Sequence, residues 1–134
     1  MEPLNTARMH DMNRLATAVN PYQGPFKKVL FVCSAGILRS PTAAHLFSSP
    51  PWNMNTRACG AEPSFALIPI SEALVHWADE IVCMTQAHRT AIDEFIMRHP
   101  EKKAHVWNIP DDYAYRDERL VEILEDKGNE TWCA

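Results

Sequence analysis

At 134 residues, with 13 basic against 17 acidic side chains and a formal net charge of −4, the chain has the length of one globular domain. A domain of this size buries roughly two-thirds of its surface on folding, so neither a disulfide nor a metal is needed as a staple. The mildly acidic balance without a basic run disfavours nucleic-acid binding, and no apolar stretch approaches the ~20 residues that span a bilayer.

Residues 1–26 read as an N-terminal extension. Within it Met12, Leu15, Ala16 and Val19 fall at helical spacing, Asn5 or Thr6 is placed to cap that helix, and the run Asn20-Pro21-Tyr22-Gln23-Gly24-Pro25 ends it. The segment has no apolar core of the kind a signal peptide carries, so a cytoplasmic location is expected. A frayed arm and a docking helix for a partner or a second subunit both fit its pattern.

Residues 27–134 read as the folded domain. Val29 to Val32 is a buried strand. Pro41 to Ser48 is a helix, with Pro41 in the first turn, where its missing N–H costs nothing. Asn55 to Cys59 is a short strand, and Ser71 caps a helix through Trp77. Glu80 to Met84 is a strand, and Thr85 caps a helix to about Met97 that His99-Pro100 ends. Ala104 to Ile109 is the last strand, and Asp117 to Lys127 the last helix. Strand–helix alternation with short apolar strands predicts an α/β three-layer sandwich, a parallel sheet with helices on both faces. In such folds ligands sit beyond the carboxyl ends of the strands. Cys33 stands at the end of the first strand and Asp111 just after the last.

The segment Val32-Cys33-Ser34-Ala35-Gly36-Ile37-Leu38-Arg39-Ser40-Pro41-Thr42 carries the chemistry. The spacing Cys-x5-Arg alone is a weak signal. Its setting, between an apolar strand and a helix opening Ser-Pro, strengthens it. Backbone N–H groups from Ser34 through Ala35, Gly36, Ile37 and Leu38 to Arg39 are placed to form a nest for an anion, and the helix N-terminus adds its positive end. Gly36 supplies the backbone freedom a tight loop needs. Arg39 can grip two phosphate oxygens in a bidentate fork. The same field favours the thiolate of Cys33, with the Ser40 hydroxyl as its hydrogen-bond partner. A thiolate in line with a bound phosphoryl group attacks phosphorus and forms a phosphocysteine. An aryl ester leaving group then needs a proton, for which Asp111 and its neighbour Asp112 are the candidates. Tyr113 and Tyr115 are placed to wall the pocket. The alternatives are plain ones: a buried cysteine with an ion-paired arginine, and turn or capping aspartates.

Four cysteines, Cys33, Cys59, Cys83 and Cys133, show no C-x-x-C spacing and read as free thiols. The six histidines show no ligand spacing, so no metal is expected.

Val-Cys-x5-Arg-Ser-Pro-Thr-Ala from Val32, together with Ile-Pro-Asp-Asp-Tyr from Ile109, resembles the low-molecular-weight protein tyrosine phosphatases, and in particular their short bacterial and phage-type members. The likeness runs from about Lys27 to Asp126. It implies a four-stranded parallel sheet, a cysteinyl-phosphate intermediate and no cofactor. By position Cys33 corresponds to the nucleophile, Arg39 to the phosphate clamp, Ser40 to the thiolate partner, Asp111 to the general acid and Tyr113 to the pocket tyrosine. The expected partner is a phosphorylated protein or a small aryl phosphate. The chain departs from the family at Ala35-Gly36, where Gly-Asn is usual, and at Leu38, where a second loop cysteine is common. Glu62 to Ile70 is also short beside the family's substrate-lip loop. Three other readings use the same loop: a thiol-dependent arsenate reductase, which needs two further closely spaced cysteines, a phosphatase of phosphoserine in polymerase tails, and a phosphate- or phosphopeptide-binding module with an inert cysteine.

Overall fold

The protein is seen in a computed structural model that describes residues 26–34, 39–62, 64, 66, 68–110 and 112–133. The helix expected between Met12 and Val19 lies outside the described residues. Strands β1 (Lys28–Cys33), β2 (Asn55–Gly60), β3 (Glu80–Cys83) and β4 (Lys103–Val106) form one parallel sheet in the order β2-β1-β3-β4. Helices α1 (Arg39–Ser48), α2 (Glu72–Trp77), α3 (Gln86–Ala91), α4 (Asp93–Arg98) and α5 (Glu118–Trp132) complete it. The chain leaves β1 toward β2 on one side and returns to β3 on the other. The strand order therefore reverses at β1/β3, and the crevice beyond their carboxyl ends is where such sheets bind ligands.

The apolar strands are covered on both faces, as their composition requires. Val29, Phe31 and Cys33 of β1 face α1 and α5 and pack with Ala43, Phe47, Leu120 and Leu124. Leu30 and Val32 point the other way, into Leu74, Val75, Ile92 and Ile96. The first face also holds an aromatic cluster in which Phe47 stacks on Phe31 at 5.6 Å between ring centroids and meets Trp52, Trp107 and Trp132 edge-on.

Beyond shifts of one or two residues at strand and helix ends, three differences from the sequence reading stand out. The helix expected from Thr85 to Met97 is two helices. Thr85 caps it as expected, but at Ile92 the backbone leaves helical geometry (φ −104°, ψ 15°) while the side chain is fully buried in the second-face core. The last strand stops at Val106 rather than Ile109, because Asn108 takes a left-handed conformation (φ 56°) that turns the chain across the sheet edge. The last helix, expected to end at Lys127, continues through Gly128 to Trp132.

Candidate active site

β1 delivers Cys33 to the carboxyl edge, and α1 begins six residues later with Arg39 and Ser40. All three side chains are buried, Cys33 at 3% exposure and Arg39 at 4%. The Cys33 sulfur lies 3.1 Å from Ser40 Oγ, and the same hydroxyl is 3.3 Å from the Cys59 carbonyl oxygen. This is a switchable pair. With a thiol, S–H donates to Oγ and the hydroxyl donates to Cys59. With a thiolate, the hydroxyl turns to donate to sulfur, a charge-assisted bond.

Arg39 spans the edge. Its Nη1 donates to the Ile109 carbonyl at 2.9 Å, 70 residues away in sequence. The Ile109 N–H is itself bonded to the Met84 carbonyl at 2.7 Å. The turn after β4 is thus fixed to β3 on one side and to the Arg39 guanidinium on the other, two residues before Asp111 in sequence. Further along, Arg116 N–H donates to Thr42 Oγ1 of α1 at 2.9 Å, a second tie between the two segments.

Cys33, Ser34, Arg39 and Ser40 are therefore brought together at the strand-order reversal. Ala35, Gly36, Ile37, Leu38 and Asp111 lie outside the described residues. Asp112 is exposed. Tyr113 is partly buried against the first-face core, with the Arg119 guanidinium 5.4 Å from its ring centroid, while Tyr115 is 48% exposed. Among the described residues no group of three or more His, Cys, Asp or Glu side chains stands where a metal ion would be held, and no helix is long and apolar enough to cross a membrane.

All four cysteines are free thiols. Burial pushes the Cys83 thiol up to about 12, against a lesser opposing pull from Arg89, and burial likewise pushes Cys59 well above the ordinary thiol range. One neighbour of the site escaped the sequence reading. His88, buried in the first turn of α3, places Nε2 2.8 Å from Ser34 Oγ. The signal was present as Thr85-x-x-His88, a capping box in which histidine stands where Glu or Gln is usual.

No family model matches the sequence, and no curated protein matches it either. Solved structures do. The chain superposes on the low-molecular-weight protein tyrosine phosphatase SP-PTP of Streptococcus pyogenes with a TM-score of 0.63 at 16% identity, covering 79% of this chain and 93% of that one. The YwlE arginine phosphatase of Geobacillus stearothermophilus gives a TM-score of 0.59 at 18% identity, over 78% and 92% of the two chains. The thioredoxin-dependent arsenate reductase Cg_ArsC1' of Corynebacterium glutamicum gives 0.58 at 18% identity, over 97% of this chain and 70% of that one. The fold is that of the low-molecular-weight phosphatases. The expected four-stranded parallel sheet with helices on both faces is the observed one.

Proposed function

We propose that the protein is a cysteine-dependent phosphomonoester hydrolase acting on aryl phosphates, in the manner of a protein tyrosine phosphatase. The observation that carries this reading is the convergence of Cys33, Ser40 and Arg39 at the strand-order reversal, with Arg39 reaching the turn that leads to Asp111. Cys33 as thiolate attacks phosphorus, and the bond to the leaving oxygen breaks as the S–P bond forms. Asp111 gives that oxygen its proton. Water then attacks phosphorus and gives its proton to Asp111, and the S–P bond breaks to release inorganic phosphate. Arg39 and the positive N-terminal end of α1 hold the transferring group by position and charge. Ser40 stabilises sulfur as it leaves.

Two features favour this over arsenate reduction. Cys59 and Cys83 are buried with their thiols held strongly protonated, and Cys133 lies at the far end of α5. No two of them form the closely spaced pair in sequence that such a relay needs. Tyr113, partly buried against the first-face core, supplies an aromatic face for a phenolic ester.

Hydrolysis of p-nitrophenyl phosphate tests the reading. Cys33→Ser is expected to abolish turnover while phosphate still binds. Asp111→Asn is expected to slow turnover by about 10²–10⁴, the usual worth of general acid–base help, and Asp112→Asn much less. The reverse ranking exchanges the two carboxylates. Turnover surviving in Cys33→Ser ends the proposal. Paired phosphotyrosine and phosphoarginine peptides decide between an aryl phosphate ester and a P–N phosphoramidate substrate, with phosphotyrosine expected to be preferred.

A further inference from the structure

The β3 flank of β1 stops pairing just before the nucleophile. Among the described residues, the backbone bond nearest the nucleophile on that side is Met84 N–H to the Val32 carbonyl at 2.9 Å, after which the chain turns at Thr85 into α3. The β2 flank carries on: Ala61 N–H bonds the Cys33 carbonyl at 2.7 Å, and Glu62 N–H the Ser34 carbonyl at 3.1 Å. Among the described residues, Ser34 is held on the other side by the His88 imidazole, whose Nε2 lies 2.8 Å from Ser34 Oγ.

The direction of that bond is fixed by the other ring nitrogen. His88 Nδ1 accepts the Thr85 backbone N–H at 3.2 Å, while His88 N–H is 3.4 Å from Thr85 Oγ1. An Nδ1 that accepts carries no proton, so the ring proton sits on Nε2 and is donated to Ser34. The ring is 6% exposed and cannot swing freely. Ser34 Oγ is thus an acceptor toward His88, and its own hydrogen is turned away from the imidazole.

We infer that His88 is a positioning residue for Cys33, acting through Ser34 to hold the start of the phosphate-binding loop from the β3 side. The inference rests on the phosphatase reading for its kinetic consequence but not for its geometry. Its mechanism is orientation: misplacing a reacting group by about an ångström costs on the order of 10²-fold in rate, and a brace on one side of the loop entry accounts for part of that.

The two ring nitrogens allow the brace to be separated from the helix cap. In His88→Asn the side-chain oxygen still reaches Thr85 N–H, as Nδ1 did, but the amide is too short for Ser34. In His88→Gln, the residue usual at this capping-box position, the longer amide keeps an NH2 within reach of Ser34, as Nε2 was, and the backbone His88 N–H bond to Thr85 Oγ1 is untouched. Turnover of p-nitrophenyl phosphate is expected to fall about tenfold in His88→Asn, in kcat rather than KM, with the thermal midpoint nearly kept. His88→Gln is expected within about threefold of wild type in kcat, with the thermal midpoint nearly kept. Ser34→Ala should match His88→Asn, and the double variant Ser34→Ala/His88→Asn should lose no more than either single one. The idea is overturned if His88→Asn keeps full turnover, if His88→Gln is as slow as His88→Asn, or if the two losses multiply. Should either His88 variant fail to fold, Ser34→Ala alone decides, and unchanged kcat there refutes the brace. Failure of the phosphatase reading shows separately, as no Cys33-dependent turnover in wild type. In that case the rate of Cys33 alkylation by iodoacetamide, read by mass spectrometry, replaces kcat. It is expected to change at least threefold in His88→Asn and Ser34→Ala but not in His88→Gln, and equal rates in all of them refute the brace.

Discussion

Ser40 shows how much a single buried hydroxyl can do. It has no exposure, sits 3.1 Å from the Cys33 sulfur, and has the Cys59 carbonyl as a second partner. A hydrogen bond to a charged group contributes about 1.5–3 kcal/mol. Ser40→Ala is therefore expected to lower kcat/KM for p-nitrophenyl phosphate by about 10–100-fold and to slow Cys33 alkylation at fixed pH, while the folded structure stays intact because the cavity left is small. Equal alkylation rates in wild type and variant would show that the hydroxyl stays on the Cys59 carbonyl. At this scale the sequence was highly legible. Cys33, Arg39 and Ser40 lie within eight residues of one another, and a strand followed by a helix leaves one geometry for them. Ser34 was legible as a loop residue, whereas its bond to His88 was not, since 54 residues separate the two.

Helix α5 shows where local reading fails. Gly128 resembles a stop, yet the helix runs through it to Trp132. The reason is close approach: a Cβ on Gly128 would lie 2.5 Å from Phe47 Cε1 and 2.7 Å from its Cζ. Phe47 cannot yield easily, being fully buried and flanked by Phe31, Trp52, Trp107 and Trp132. Gly128→Ala gains about 1 kcal/mol of helix propensity but overpacks the core, which costs typically about 1–3 kcal/mol. A net loss of about 1 kcal/mol is expected in urea unfolding, and a stabilised variant would mean that α5 can shift outward. The broken helix at Ile92 has a similar origin. Its periodicity fits one helix, but burial of Ile92 against α2 and β1 sets the local backbone.

The molecule as a whole is tied at the end of the sheet opposite the site. Glu80, first residue of β3 and 7% exposed, accepts from His105 of β4 at 2.7 Å and from Trp132 of α5 at 3.0 Å, and pairs with Lys27 at 2.6 Å. Burial alone would raise its carboxyl, but the bonds from Lys27, Trp132 and His105 outweigh burial and hold it at about 2, against an ordinary value of 4.5. A folded-state value below the unfolded one makes the contribution to stability fully present above about 4.5 and lost as pH falls toward about 2. Urea unfolding is therefore expected to show wild type more stable than Glu80→Gln at pH 6, with the gap narrowing between pH 4.5 and 2. A gap that holds constant through that range would assign the effect to shape rather than charge. The carboxylate also sets the C-terminal helix against the sheet, so Trp132 fluorescence should follow the same transition.

The sequence by itself determined the parallel α/β sheet and the strand–loop–helix that carries Cys33, Arg39 and Ser40, because both depend on apolar periodicity and on residues close along the chain. Tertiary structure alone decided that Arg39 reaches Ile109, that His88 meets Ser34 and that α5 passes Gly128. Each of these is a contact between distant segments, made because packing both faces of one sheet forces those segments into the same space.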